Sequence, residues 1–321
     1  MKILLTGSAG FIGSHVATAL LRRGDEVIGL DNFNDYYDVS QKRANVAEIL
    51  TAFEPFRCIE ADVRDRQVIL DLCEEERFDA IIHLAAMAGV RNSVKHPDLY
   101  VSVDYNGSQN MMDGARLFGV SNFVMASTSS IYGNTTQIPF VETDPCDQPI
   151  QPYAAAKRGA EMLGYTYHYL YDLNFTATRF FTVYGPKGRP DMMAYLLADS
   201  IHQGREIPYY NSGEMWRDWT FVDDIVDGIV RAVDRPLGYE ILNLGRGEPT
   251  LLKEFVTLME TYSGGKANLV PKPKMTADMD RTYADISKAA RLIGYNPQVN
   301  LADGVKAFWD WYISKQEMET K

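Results

Sequence analysis

Tyr153 and Lys157 stand four residues apart in PYAAAK (152–157), so on a helix both side chains leave the same face. A free phenol, with a pKa of about 10, is a poor base at neutral pH, but a neighbouring ammonium favours its phenolate. Such a pair can take a proton from an alcohol. Alone, an i,i+4 Tyr/Lys pair is more often plain helix surface. A second stretch, ASTSSIYG (126–133), puts four consecutive hydroxyls, Ser127 to Ser130, where the apolar run NFVM ends. Serine and threonine compete for backbone hydrogen bonds, so one reading is a turn; the other is a set of hydroxyls offered to a ligand. No carboxylate stands among them.

TGSAGFIG (6–13) supplies Gly7, Gly10 and Gly13 between an apolar run and an amphipathic segment. Glycines at this spacing permit a tight turn, close approach to a pyrophosphate, and helix–strand packing, and the free N–H groups of the helix start face the anion. Any strand–helix turn can use glycine, so the loop alone is weak evidence. Asp31 closes the next apolar run 18 residues after Gly13, where a carboxylate can hydrogen-bond adenosine ribose hydroxyls and repel a 2′-phosphate. NAD is therefore favoured over NADP as cofactor; the alternative is that Asp31 caps a turn with Asn32. Asp62 and Val63, at the end of a third run, are adenine contacts or an ordinary strand end. Lys157 can reach a nicotinamide ribose, and an oxidised nicotinamide adds positive charge beside Tyr153.

The elements that must position these groups alternate along the first half. Strands are expected at 2–6, 26–30, 56–62, 80–85 and 122–127, and helices at 14–23, 66–77, 108–119 and 153–173. Continuous apolar strands separated by helices indicate an α/β fold with a doubly wound parallel sheet of Rossmann type. After about residue 180 the rhythm changes, with proline and glycine clusters and helices expected at 250–263 and 301–316. A smaller, largely C-terminal α/β substrate domain is expected: 1–182 bind the cofactor, 216–246 return to that domain, and 183–215 with 247–321 hold the substrate.

The 321 residues carry a net charge of −11 with no basic block, which argues against nucleic-acid binding. Three scattered cysteines and five histidines show neither disulfide nor metal-ligand spacing, so no metal site is expected. No stretch has the length of a membrane span and the N-terminus lacks a cleavage site, giving a cytoplasmic expectation.

Together with HLAA (83–86), RFFTVYGP (179–186) and RDWTFVDDIV (217–226), these motifs resemble the extended short-chain dehydrogenase/reductases, in the nucleotide-sugar epimerase branch. DNFNDYYDVSQKR (31–43), AGVRNS (88–93) and GPKGRPDM (185–192) are most similar to UDP-glucuronate 4-epimerases. The resemblance implies that Thr128 binds the reacting sugar oxygen beside Tyr153 and Lys157. It extends the cofactor wall to Phe11, Ile12, Asn32, Leu84, Ala85 and Ala86. Arg217 is implied for the pyrophosphate and Asp278 for the uridine ribose, with Arg91 and Asn211 as weaker candidates near the same anion. A local Arg217–Asp218 salt bridge is the bland alternative.

Related dehydratases carry an Asp–Glu pair after this threonine and related decarboxylases a Glu; here Ser129 and Ser130 stand there. That implies oxidation and re-reduction at C4 without elimination, the flat 4-keto sugar turning over between the two steps. A 4-keto uronic acid is a β-keto acid, so its carboxylate must be held where the C–C bond does not align with the carbonyl. Ser129, Ser130, Thr182 and Arg189 are the candidates for that grip. Their bland alternatives are a strand-end cap for the serines and a bridge between the two regions for Arg189.

Three departures weaken the substrate assignment: Asp104 where most members have Asn, Lys187 where Trp is usual, and Met87 for a polar residue. Lys187 is either a changed pocket wall or a second cation. The competing readings are a UDP-glucose/galactose or N-acetylhexosamine epimerase, a UDP-glucuronate decarboxylase, and a non-catalytic NAD-binding protein. A homodimer is implied, joined through a four-helix bundle of 100–118 and 153–173 from each chain.

Overall fold

The computed structural model describes residues 1–273 and 281–319. Its first part runs β1 (Lys2–Thr6), α1 (Phe11–Arg23), β2 (Glu26–Asp31), α2 (Val39–Ala52), β3 (Arg57–Glu60), α3 (Arg66–Glu76) and β4 (Ala80–His83). Short helices α4 (Val90–Lys95) and α5 (Pro97–Tyr100) lead into a π-helical turn (Val101–Gly107), α6 (Ser108–Phe118), β5 (Asn122–Thr128), a 3₁₀ turn (Ser129–Tyr132), α7 (Pro152–Tyr171) and β6 (Phe175–Phe180). The remainder is β7 (Thr182–Tyr184), α8 (Met193–Gln203), β8 (Glu206–Tyr210), β9 (Trp216–Phe221), α9 (Val222–Val233), β10 (Tyr239–Leu244), β11 (Pro249–Leu251), α10 (Leu252–Ser263), β12 (Asn268–Lys272), β13 (Arg281–Thr282), α11 (Ser287–Ile293) and α12 (Leu301–Glu319).

Seven parallel strands form the main sheet in the order β10-β6-β5-β4-β1-β2-β3. Chain order reverses at β1, which pairs with β2 on one side and β4 on the other, and ligands of such sheets bind at the carboxyl ends beside that switch. The expected doubly wound parallel sheet is therefore present. α9 and β10 join this layer, whereas β9 sits in a smaller sheet with β7, β11 and β13; β8 pairs with β12.

One apolar core fills the α1/α9 side of the main sheet and continues to Tyr195, Phe255, Phe308 and Tyr312 of the C-terminal helices. The other face buries Ile69, Met111, Met112, Ala160 and Phe175 beneath α3, α6 and α7. Wholly buried Arg179 on β6 is tolerated because Glu161 of α7 takes both its Nε (2.9 Å) and Nη2 (2.8 Å).

Candidate functional site

At the end of β1 the chain turns through Gly7 at φ +72°, and a Cβ there would stand 2.8 Å from the Ala85 nitrogen. A Cβ on Gly13 would lie 2.0 Å from the Gly7 carbonyl oxygen, so neither position accepts a side chain without the loop moving. Gly10 is the N-cap of α1 and adds no side-chain cap, leaving the first-turn N–H groups for an anion. Gly7, Gly10, Phe11, Ile12, Gly13, Asp31, Asn32, Val63, Leu84, Ala85, Ala86, Tyr153 and Lys157 line one continuous cleft.

Asp31 is buried and accepts the N–H groups of Ala9 (3.1 Å) and Phe33 (2.8 Å). Burial raises its carboxyl pKa, countered by those bonds and by Lys42. Asp62 does not line the cleft as expected: Arg64, with help from Asn32, takes its carboxylate and pulls its pKa down to about 2. Its neighbour Val63 forms the wall instead.

On α7, Tyr153, Lys157 and Glu161 follow at four-residue spacing. Lys157 Nζ is buried and has no hydrogen-bond partner among the described residues, leaving an ammonium donor unsatisfied. Burial lowers its pKa, and Asp104 and Glu161 oppose that fall. The orphaned ammonium, the uncapped helix start and the two glycines that a Cβ would fill fit a dinucleotide whose ribose meets Lys157. Burial pushes the Tyr153 phenol well above its ordinary pKa and Asp104 pushes the same way, while the Thr128 hydroxyl and Arg189 pull down.

The strand-end hydroxyls bond locally and also line a cavity. Thr128 Oγ1 accepts the Ser130 N–H at 3.1 Å, capping the 3₁₀ turn, and Ser127 Oγ donates to Glu161 at 2.6 Å beneath the site. Thr128, Ser129 and Ser130 still line a second cavity that shares Phe11, Tyr153 and Arg189 with the first. This cavity measures about 450 Å³, against about 260 Å³ for the dinucleotide cleft, and takes its walls from Arg91, Thr182 and Arg217 as well.

Arg189 meets Asp191 side-on at 2.9 and 2.8 Å and lies over the Tyr36 ring. Tyr36, which sequence reading left unassigned, lines both cavities and donates its hydroxyl to Asp191 at 3.2 Å. Its one local signal was its place in DNFNDYYDVSQKR. Arg91 stacks over Tyr210. Arg217 does not salt-bridge Asp218 through the local pairing considered: Asp218 is buried on the N–H groups of Arg246, Gly247 and Ala284. Asn211 is not a wall residue; at φ +47° it turns its amide onto the Glu214 carbonyl. Asp278 lies outside the described residues. Lys187 pairs with Glu48 at 2.8 Å and lines neither cavity, so it supplies no second cation. Asp104 is turned into the core, where Oδ1 accepts the Met87 N–H at 2.7 Å.

Residues 3–245 match the NAD dependent epimerase/dehydratase family. The chain is 41% identical to a UDP-glucuronate 4-epimerase of Thermodesulfobacterium geofontis, over 98% of this chain and 97% of that protein. The crystal structure of the Bacillus cereus UDP-glucuronic acid 4-epimerase, in complex with UDP-glucuronic acid and NAD, superposes with a TM-score of 0.91 at 32% identity, over 98% of this chain and 100% of that one. A UDP-glucose 4-epimerase of Thermotoga maritima with UDP-glucose gives a TM-score of 0.90 at 29% identity, over 98% and 100% of the two chains. The chain belongs to the NAD dependent epimerase/dehydratase family.

Proposed function

We propose that this protein is an NAD-dependent 4-epimerase of a UDP-sugar that interconverts UDP-glucuronate and UDP-galacturonate. One observation carries the reading: the Tyr153/Lys157 face meets a strand end bearing Thr128, Ser129 and Ser130, with no carboxyl group among the described lining residues free to drive elimination. Among the described residues of the sugar cavity the acid is Asp191. Burial works against its ionisation, but Arg189 holds its carboxyl below the usual range, so it stays an anion rather than an acid catalyst. The relatives named above, two of them glucuronate epimerases, support the substrate class.

Tyr153 takes the proton of the C4 hydroxyl, with the Thr128 hydroxyl beside it orienting that oxygen. When bound, the oxidised nicotinamide supplies positive charge near the phenol and the site that accepts hydride from C4 and returns it. Lys157 holds the ribose of that cofactor and keeps a cation behind the phenolate. Tyr153 then returns its proton to the oxygen of the re-formed alcohol on the turned sugar. Arg91 and Arg217 line the cavity where a diphosphate needs cations. Ser129, Ser130, Thr182 and Arg189 hold the carboxylate through hydroxyls and one guanidinium, which fixes it without offering a proton.

A neutral-sugar epimerase is the second reading, favoured by one observation: Asp191 already neutralises Arg189 at 2.8 Å. A uronate would have to draw the guanidinium from Asp191 or share it. Incubation of the purified protein with UDP-glucuronate, without added reductant, separates the readings by product NMR. The account expects an equilibrium mixture with UDP-galacturonate and little UDP-pentose. Turnover of UDP-glucose but not of the uronate would establish the second reading instead.

We also propose a homodimer. α7 exposes Met162, Tyr165, Tyr169 (74%) and Leu170, and the neighbouring segment exposes Val101 and Leu117, an apolar face whose self-complementary partner is a second copy. Tyr169→Glu is expected to yield monomers in light scattering. The three free thiols suit a cytoplasmic enzyme.

A further inference from the structure

The mechanism above leaves one buried acid without a task. Asp104 sits in the π-helical turn, wholly buried; Oδ1 is bonded to the Met87 N–H, and Oδ2 has no hydrogen-bond partner among the described residues. α7 packs against this turn and carries Lys157, which is 1% exposed and whose ammonium is also unpartnered among the described residues. Each charge alone would carry a heavy desolvation cost, and each is the opposite charge the other lacks.

The other groups around them are committed elsewhere. Glu161 of α7 is bound by Arg179, Arg158 and Ser127. His83 of β4 is neutral: Ser108 donates to the Asp104 carbonyl, so it accepts from His83 Nε2–H, and Nδ1 is left to accept from Thr6. Burial takes the His83 pKa down to about 3. Tyr100 of α5 donates to the Ala88 and Gly89 carbonyls, and Arg189 is held by Asp191. The field of Asp104 acts on Lys157, Tyr153 and Tyr100, and of these Lys157 and Tyr153 form the catalytic pair.

We propose that Asp104 is a positioning residue acting on the catalytic pair: its carboxylate keeps Lys157 an ammonium and opposes the Tyr153 phenolate, so its charge sets the pH range in which the pair works. Burial lifts the Asp104 carboxyl to about 7, against the pull of Lys157 and the Met87 N–H, so this charge changes within the working range. The signs follow. Removing the charge in D104N eases ionisation of Tyr153 and weakens the hold on the Lys157 proton, so the limbs of the pH–rate bell that lie above about 7, where Asp104 carries its charge, move to lower pH. The Asn oxygen still accepts the Met87 N–H, so a merely structural role predicts unmoved limbs.

The kinetic arm rests on the epimerase reading, and a second arm does not. In the NAD-loaded enzyme with ¹³C-labelled aspartate carboxyls, the resonance missing from D104N belongs to Asp104. Its midpoint is expected near 7 and, in K157M, higher by about one unit or more. A midpoint in the ordinary carboxylate range, or one that K157M leaves in place, overturns the proposal whatever the substrate. Limbs that stay put in an active D104N overturn it as well. A wild type that ignores UDP-glucuronate sinks the functional reading while the NMR arm still decides the coupling.

Discussion

The dinucleotide half of the cleft is built around the turns after β1, β2 and β4, whereas the sugar half is assembled from residues as distant in sequence as Arg91, Ser130, Arg189, Arg217 and Phe308. In the first half, backbone N–H groups and missing Cβ atoms make the site, and the ligand they suit is common to a whole family. In the second, chemistry is set by which side chains meet, so small changes redirect it. Tyr153 and Thr128 belong to both halves, which is where hydrogen transfer has to occur.

Substitutions separate the two halves. Tyr153→Phe strikes both halves at once, and turnover is expected to fall by about 10²–10⁴-fold with NAD and UDP-sugar binding retained, read by steady-state rates and calorimetry. Glu161→Gln strikes the support beneath the site: the wholly buried Arg179 loses its counter-charge, and the variant is expected to unfold with about 3–5 kcal/mol less stability by denaturant titration. Gly13→Ala should act on the dinucleotide half alone. Its Cβ meets the Gly7 carbonyl, so NAD binding is expected to weaken by roughly 10- to 100-fold, from about 1–3 kcal/mol of overpacking, with UDP binding unchanged. Arg189→Ala is expected to lower kcat/KM for UDP-glucuronate by about 10- to 100-fold, the loss of one charge-assisted contact, and to spare UDP-glucose. Equal losses on both sugars would mean that Arg189 serves the fold through Asp191 and Tyr36.

Legibility in the sequence follows the same division. KILLT and NFVMAS read as buried strands because Ile3–Leu5 and Phe123–Ala126 are unbroken apolar runs, and the glycine spacing placed the loop between β1 and α1. β6 was hidden: FTATRF contains a charge that belongs in a core only because Glu161, 18 residues earlier, waits for it. α2 was hidden for a related reason. Its buried residues include Gln41, Lys42 and Asn45, whose amides and ammonium bond to main-chain carbonyls of Gly188, Asn34 and Ala9, so no apolar stripe announces it. In the sugar half, Arg189 was legible as a cation by resemblance, but its partners Asp191 and Tyr36 were not. Asn211 looked like an anion contact until its backbone turned it toward Glu214. Side-chain partnerships across long sequence separations have no period to read.

In the proposed reaction C4 is oxidised and reduced in place, with the carboxylate kept from leaving. UDP-glucuronate carrying deuterium at C4, incubated with the enzyme in ordinary water and followed by NMR, tests this most directly. UDP-galacturonate that retains the deuterium at C4, with its carboxylate intact, is the predicted result. Loss of the label to solvent, or UDP-pentose as the main product, would contradict it.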